Sequence, residues 1–129
     1  MKQQGRSSIM LVEDNEMIRE LITELLGDEY EQETYSDAES AVARARERTF
    51  DLVLLDVSLP NMSGMEAVKV LRSLPAYADT PIVAMTGHTS PEQHAQYLEI
   101  GFTEHLGKPF MPDELTDLVG SLLSSAGGA

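Results

Sequence analysis

Short, continuous apolar runs recur along this chain, and each is followed by a segment with helical spacing. Ile9-Met10-Leu11-Val12 comes first, then Met17, Ile18, Leu21, Ile22, Leu25 and Leu26, spaced three and four apart as on one face of a helix. Gly27 follows as a C-terminal stop. Residues 31–35 (EQETY) read as a polar strand. Ser36 and Glu39 then have the spacing of a capping box, and Ala38, Ala41, Val42 and Ala45 line one helical face. Leu52-Val53-Leu54-Leu55 is the second apolar run. A turn, Pro60-Asn61-Met62-Ser63-Gly64, leads into a helix near 65–74 with Met65, Val68 and Leu71 on one side. Pro81-Ile82-Val83-Ala84-Met85 is the third run, and Ser90-Pro91 starts the next helix with proline in its first turn. Glu104-His105-Leu106 is a last, polar strand. A helix from about Pro112 follows, with Leu115, Leu118, Val119 and Leu122 on one side.

Five strand–helix pairs in strict alternation predict a parallel sheet with helices on both faces. Strands buried on both faces must be apolar throughout, so 9–12, 52–55 and 82–85 belong inside the sheet. The polar strands 31–35 and 104–106 belong at its edges. The doubly wound order 2-1-3-4-5 meets both conditions with right-handed crossovers. One domain over residues 9–123 is expected, after a loose start (1–8) and before a flexible tail or linker start (124–129).

Charge and composition narrow the function. The chain has 129 residues, with nine Lys and Arg against 22 Asp and Glu, for a net charge of −13. Such a balance repels nucleic-acid phosphates and anionic membranes, so neither is expected as a direct partner. With no cysteine, disulfides, thiol nucleophiles and thiolate metal sites are excluded. No run is long enough to span a bilayer and the start lacks a signal-peptide core, so a cytoplasmic location is expected.

In an open parallel sheet, chemistry gathers beyond the carboxyl ends of the strands. Glu13 and Asp14 follow strand 1, Asp56 closes strand 3, Thr86 closes strand 4 and Lys108 closes strand 5. Three carboxylates, a hydroxyl and an ammonium thus converge on one rim. Close carboxylates repel and raise one another's pKa unless a cation intervenes. An open, all-oxygen site suits Mg²⁺. Thr86 and Lys108 suit phosphoryl oxygens, and the central Asp56 suits a nucleophile that forms an aspartyl phosphate. The bland alternative is a set of solvated loop acids.

Val12-Glu13-Asp14-Asn15, Leu55-Asp56 with Pro60-Asn61-Met62-Ser63-Gly64, Met85-Thr86-Gly87, and Gly101-Phe102 through Lys108-Pro109-Phe110 together carry a resemblance. Over about residues 8–123 the chain resembles the response-regulator receiver domains of two-component signalling, which have a flavodoxin-like (βα)5 fold. The resemblance implies that Asp56 accepts a phosphoryl group from a histidine kinase or a histidine phosphotransfer protein. It implies that Asp14, Asp56 and the backbone carbonyl of Ser58 hold Mg²⁺, with Glu13 in the outer shell of the metal. It further implies that Thr86 and Lys108 bind the phosphoryl oxygens and that the Lys108–Pro109 bond is cis. Thr86 leads into the helix starting at Ser90 and Lys108 ends strand 5, so residues 90–122 are expected to be the face that a downstream protein reads.

Three positions depart from the family pattern: Glu13 stands where an aspartate is frequent, Gly87 replaces a frequent alanine, and His105 stands where an inward-turning Tyr or Phe is usual. Two other functions compete with this one. A Mg²⁺-dependent aspartyl-phosphate phosphatase commonly needs an acid two residues after its nucleophile, where this chain has Ser58. A flavin carrier needs a phosphate-cradling loop after strand 1, where Glu13-Asp14 would repel phosphate. The receiver is expected either to stand alone or to be a segment of a hybrid histidine kinase or larger regulator. The remaining features read as ordinary. His88, His94 and His105 lack metal-ligand spacing and read as surface residues, the seven methionines read as core filler, and Gly64 reads as supplying a turn conformation.

Overall fold

The structure is a computed structural model and describes residues 6–128. Five strands form one parallel sheet in the order 2-1-3-4-5: β1 (Ser8–Val12), β2 (Glu31–Tyr35), β3 (Leu52–Asp56), β4 (Ile82–Thr86) and β5 (Glu104–Gly107). The helices are α1 (Glu16–Leu26), α2 (Ala38–Glu47), α3 (Gly64–Ser73), α4 (Pro91–Ile100) and α5 (Pro112–Gly128). Of the start expected over 1–8, residues 1–5 lie outside the described residues, while Ser8 already pairs with Glu31. Of the tail expected over 124–129, α5 reaches Gly128 and Ala129 lies outside the described residues.

The two-residue period of the strands divides the core. Ile9, Leu11, Leu52, Leu54, Val83 and Met85 point to one face, where Ile22 and Leu26 of α1 and Leu115 and Val119 of α5 cover them. Met10, Val12, Val53, Leu55, Ile82 and Ala84 point to the other, under α2, α3 and α4. All five residues of β1, β3 and β4 are buried, as expected for central strands.

Two local expectations change. The N-cap of α2 is Asp37, whose side chain accepts from the Ser40 backbone N–H at 2.7 Å, not Ser36. With Asp37 as the cap, Glu39 is the second helical residue and Ser40 the third, so no Glu stands at the box position, and the Glu39 carboxylate instead accepts from the Met62 N–H. A capping box does form at α3, between Ser63 and Glu66. On α1, only part of the apolar stripe is inward: Met17 is 79% and Leu21 45% exposed.

Register sets the functional rim. Val12 pairs with Leu55, Asp56 with Met85, and Thr86 with Gly107. Backbone bonds continue past the strand ends: Glu13 N–H donates to Tyr35 O, Val57 N–H to Met85 O and Lys108 N–H to Thr86 O. Glu13, Asp56, Thr86 and Lys108 are therefore held by sheet geometry, not by loose loops.

Candidate functional site at the carboxyl ends of the strands

Glu13 and Asp56 are buried, 1% and 2% exposed, whereas Asp14 is exposed. One carboxylate oxygen from each lies within 4.8 Å of the others. The Lys108 ammonium reaches between two of them, 2.8 Å from Glu13 Oε1 and 3.3 Å from Asp56 Oδ1. Glu13 Oε2 accepts from the Asn15 backbone N–H at 3.1 Å, and Asp56 Oδ1 accepts from Ser58 N–H at 3.0 Å. Asn15 also caps α1 through its side chain, so the loop carrying Glu13 and Asp14 is tied at both its ends. Arg19 adds a bond from its guanidinium to Glu13 O at 2.8 Å.

Burial raises the Glu13 pKa above the usual carboxylate range, the nearby Asp56 charge adds to the rise, and Lys108 and Asn15 oppose it. Mutual repulsion contributes to the rise, but desolvation is its larger cause. Burial works against the Lys108 charge as well, yet the hydrogen bond to Glu13 and the charges of Asp56 and Glu13 outweigh it and raise its pKa. Lys108 therefore remains cationic at neutral pH.

The turn after β3 explains a further residue. Gly64 begins α3 against the Asp56 backbone, and a Cβ there would lie 2.4 Å from Asp56 O and 2.7 Å from Val57 Cα. Close approach, not an unusual backbone conformation, is what requires glycine. The left-handed residue of this turn is Asn61, with φ 62°. The Lys108–Pro109 bond is cis.

Thr86 is buried, and its hydroxyl has two partners. It accepts from the His88 backbone N–H at 2.9 Å and shares a bond with the Tyr97 hydroxyl at 2.8 Å. Tyr97 comes from α4, is 2% exposed, and also donates to His88 O at 3.1 Å. Sequence reasoning did not select Tyr97. The available signal was an aromatic in the middle of α4, on the strand-facing side of a helix otherwise rich in polar residues. His105, in β5, lies with its ring centroid 6.3 Å from that of Tyr97 and in contact with His94. It is half-buried, with 21% of its side chain exposed, and so is not the free surface histidine that spacing suggested.

The site is therefore a cationic lysine and a buried hydroxyl flanking a carboxylate cluster at the switch point of a doubly wound sheet. The sequence model of the response regulator receiver domain matches residues 9–120. The chain is 34% identical over 113 residues to the signal transduction histidine-protein kinase BarA of Escherichia coli, covering 87% of this chain and 12% of that protein. It is 36% identical over 111 residues to the DNA-binding response regulator MtrA of Mycobacterium leprae, covering 85% of this chain and 48% of that one. It thus spans less than half the length of these two relatives. Among solved structures, the chemotaxis response regulator CheY4 of Vibrio cholerae superposes with a TM-score of 0.87 at 36% identity, over 91% of this chain and 98% of that one. The receiver domain of the sensor histidine kinase PA1611 from Pseudomonas aeruginosa, which has a magnesium ion in its active site cleft, gives 0.84 at 27% identity, over 93% and 99%. The chain belongs to the response regulator receiver domains, the signalling modules of two-component systems.

Proposed function

We propose that Asp56 is the phosphoacceptor of this receiver and that a histidine kinase or histidine phosphotransfer protein supplies the phosphoryl group. The observation that carries this reading is the Asp56 carboxylate clustered with those of Glu13 and Asp14, with the Lys108 ammonium 3.3 Å from it and Thr86 on the neighbouring strand. Asp56 Oδ1 is held by Ser58 N–H and Lys108, and Oδ2 has no hydrogen-bond partner among the described residues. Oδ2 is the nucleophile: it bonds to phosphorus as the phosphorus–nitrogen bond of the donor breaks, and the leaving imidazole takes up a proton.

The clustered carboxylates of Asp14 and Asp56 are oxygen donors that fit Mg²⁺; the Ser58 carbonyl would join them as the family resemblance implies, with Glu13 outside and paired to Lys108. When bound, Mg²⁺ neutralises charge on the phosphoryl oxygens and the acceptor carboxylate. Lys108 then pairs with a phosphoryl oxygen, and the Thr86 hydroxyl donates to another. The same residues supply whatever catalysis the domain performs on its own phosphorylation and dephosphorylation.

Thr86 leads into α4, and Lys108 leads out of β5, so the face they move is residues 90–122. That face carries Leu98 and Met111, 44% and 67% exposed, as apolar contacts for a downstream protein. Among the described residues no helix is long and apolar enough to cross a membrane, and the donor chemistry belongs to the cytoplasm. We assign residues 9–123 to the receiver unit, acting either alone or as a segment of a hybrid kinase or larger regulator.

Acetyl phosphate with Mg²⁺, followed by intact mass, tests the assignment. One added phosphoryl group in the native chain and none in Asp56→Asn is the expected result. Equal labelling of both would remove Asp56 as the acceptor.

A further inference from the structure

His94 of α4 and His105 of β5 bring their Nδ1 atoms to 2.5 Å, with ring centroids 4.4 Å apart and ring planes at 62°. Glu104 Oε1 lies 3.9 Å from His94 Nε2 and 3.9 Å from His105 Nδ1. That carboxylate is oriented by the His105 backbone N–H, which donates to it at 3.1 Å. One ligand atom from each of the three residues falls within 4.8 Å of the others. All three side chains are partly open to solvent, with exposures of 33%, 41% and 21% for His94, Glu104 and His105.

Two imidazole nitrogens that face each other this closely each present a lone pair or a proton. They coexist either as one N–H···N hydrogen bond or as two lone pairs on a common cation, and both rings cannot be protonated there. The carboxylate on the same side favours a positive charge between them. So does the strongly acidic chain, with its net charge of −13.

We propose that His94, Glu104 and His105 form a second metal centre, specific for a borderline divalent transition ion such as Zn²⁺ and separate from the carboxylate rim. Two imidazoles and one carboxylate form a nitrogen-rich set that suits Zn²⁺, whereas the oxygen-only rim suits Mg²⁺. Zinc–nitrogen bonds of roughly 2.0–2.1 Å in a tetrahedral site separate the two nitrogens by about 3.3 Å. The two rings open by under about 1 Å to admit the ion, a shift that side-chain rotation of half-exposed histidines provides. Three protein ligands leave a fourth position for water or for a side chain of a bound protein. The ion ties α4 to β5, the two elements that carry Tyr97 and lead to Lys108, so its occupancy resists movement of α4 relative to the sheet.

The test is calorimetric titration of the untagged full chain with ZnCl₂ in saturating MgCl₂, beside His94→Gln, His105→Gln, Glu104→Gln, His88→Ala and Asp14→Asn. Circular dichroism melts establish that each variant is folded. One zinc per chain is expected in the native protein, His88→Ala and Asp14→Asn, with at least tenfold weaker binding in His94→Gln and in His105→Gln. Cobalt(II) should give the intense visible absorption of a tetrahedral site in the native chain and lose it in either histidine variant. No saturable zinc binding would show that the two histidines share only a hydrogen bond and would overturn the proposal. Binding that survives both histidine variants, or that disappears in Asp14→Asn, would overturn it equally.

Discussion

The Tyr97 hydroxyl lies 2.8 Å from Thr86 Oγ1 inside the protein, joining the middle of α4 to the end of β4. The Tyr97 ring packs edge-on to Phe102 and fills the space between helix and sheet. Receivers usually place an aromatic at the position of His105. Here an aromatic from the helix itself touches the threonine, so on the proposed reading a displacement of Thr86 toward a phosphoryl group would remove a hydrogen bond from α4 directly.

Tyr97→Phe keeps the ring and removes this bond together with the one to His88 O. We expect a stability loss of about 1 kcal/mol, because Thr86 retains the His88 N–H as a partner. Amide NMR with beryllofluoride, a phosphoryl mimic, should shift residues 90–122 in the native chain. In Tyr97→Phe the shifts should withdraw toward the loops at 13–15 and 56–60. Undiminished shifts across α4 in the variant would rule out Tyr97 as the link.

Gly64→Ala places a methyl 2.4 Å from Asp56 O, a contact with backbone that no rotamer relieves. Overpacking of this kind costs about 1–3 kcal/mol. Chemical denaturation should show that loss, and labelling by acetyl phosphate should slow as the Asp56 backbone is displaced. A variant as stable as the native chain would show that the turn yields freely.

Crowding of Asp14, Glu13 and Asp56 makes the rim a place where a cation stabilises the fold. At Mg²⁺ about 100 times its dissociation constant, stability should rise by about 2.7 kcal/mol. Asp14→Asn should stabilise the metal-free protein by up to about 1 kcal/mol and abolish most of the Mg²⁺ effect. Thermal melts measure both, and an unchanged melting temperature at millimolar Mg²⁺ is the contrary outcome.

Acid stability should depend on Glu33. Hydrogen bonds from Arg44, at 3.0 Å to each of its oxygens, lower its pKa to about 2 against the opposing effect of burial, with Tyr35 and Arg48 assisting. The folded value lies below the unfolded one, so the contribution is complete above about pH 4.5 and disappears as pH falls toward about 2. Glu33→Gln should lose up to about 1 kcal/mol near neutrality, and the difference from the native chain should shrink through that window. A difference that stayed constant from pH 7 to pH 2 would exclude this origin.

Met17 and Leu21 stand exposed on α1, just after the Glu13–Asp14 loop. On the proposed reading a protein phosphodonor would approach Asp56 past that loop, where this apolar pair is available for contact. Met17→Glu should slow phosphotransfer from a protein donor roughly tenfold, the effect of about 1.4 kcal/mol, and leave labelling by acetyl phosphate unchanged. Equal slowing with both donors would place the effect at the site instead.

Strand polarity together with right-handed crossovers was sufficient for the sheet order, because only a strand covered on both faces carries an unbroken apolar run, as β1 does over 9–12, β3 over 52–55 and β4 over 82–85. The same polarity assigned Glu13, Asp14, Asp56, Thr86 and Lys108 to one rim, since parallel strands all end on the same side. Periodicity could not say how far a helix face is covered: Met17 and Leu21 continue the stripe of α1 but extend past the sheet beneath it. Nor could it choose between the adjacent caps Ser36 and Asp37, because both residue types cap helices and the choice depends on where the chain turns into α2. Tyr97 meeting Thr86, His94 meeting His105, and Gly64 pressed against Asp56 are contacts between elements, set by how α3 and α4 settle on the sheet. Local sequence carries the preference of each segment for helix or strand. The distances between segments depend on side chains packing together in three dimensions, and only the tertiary structure decides them.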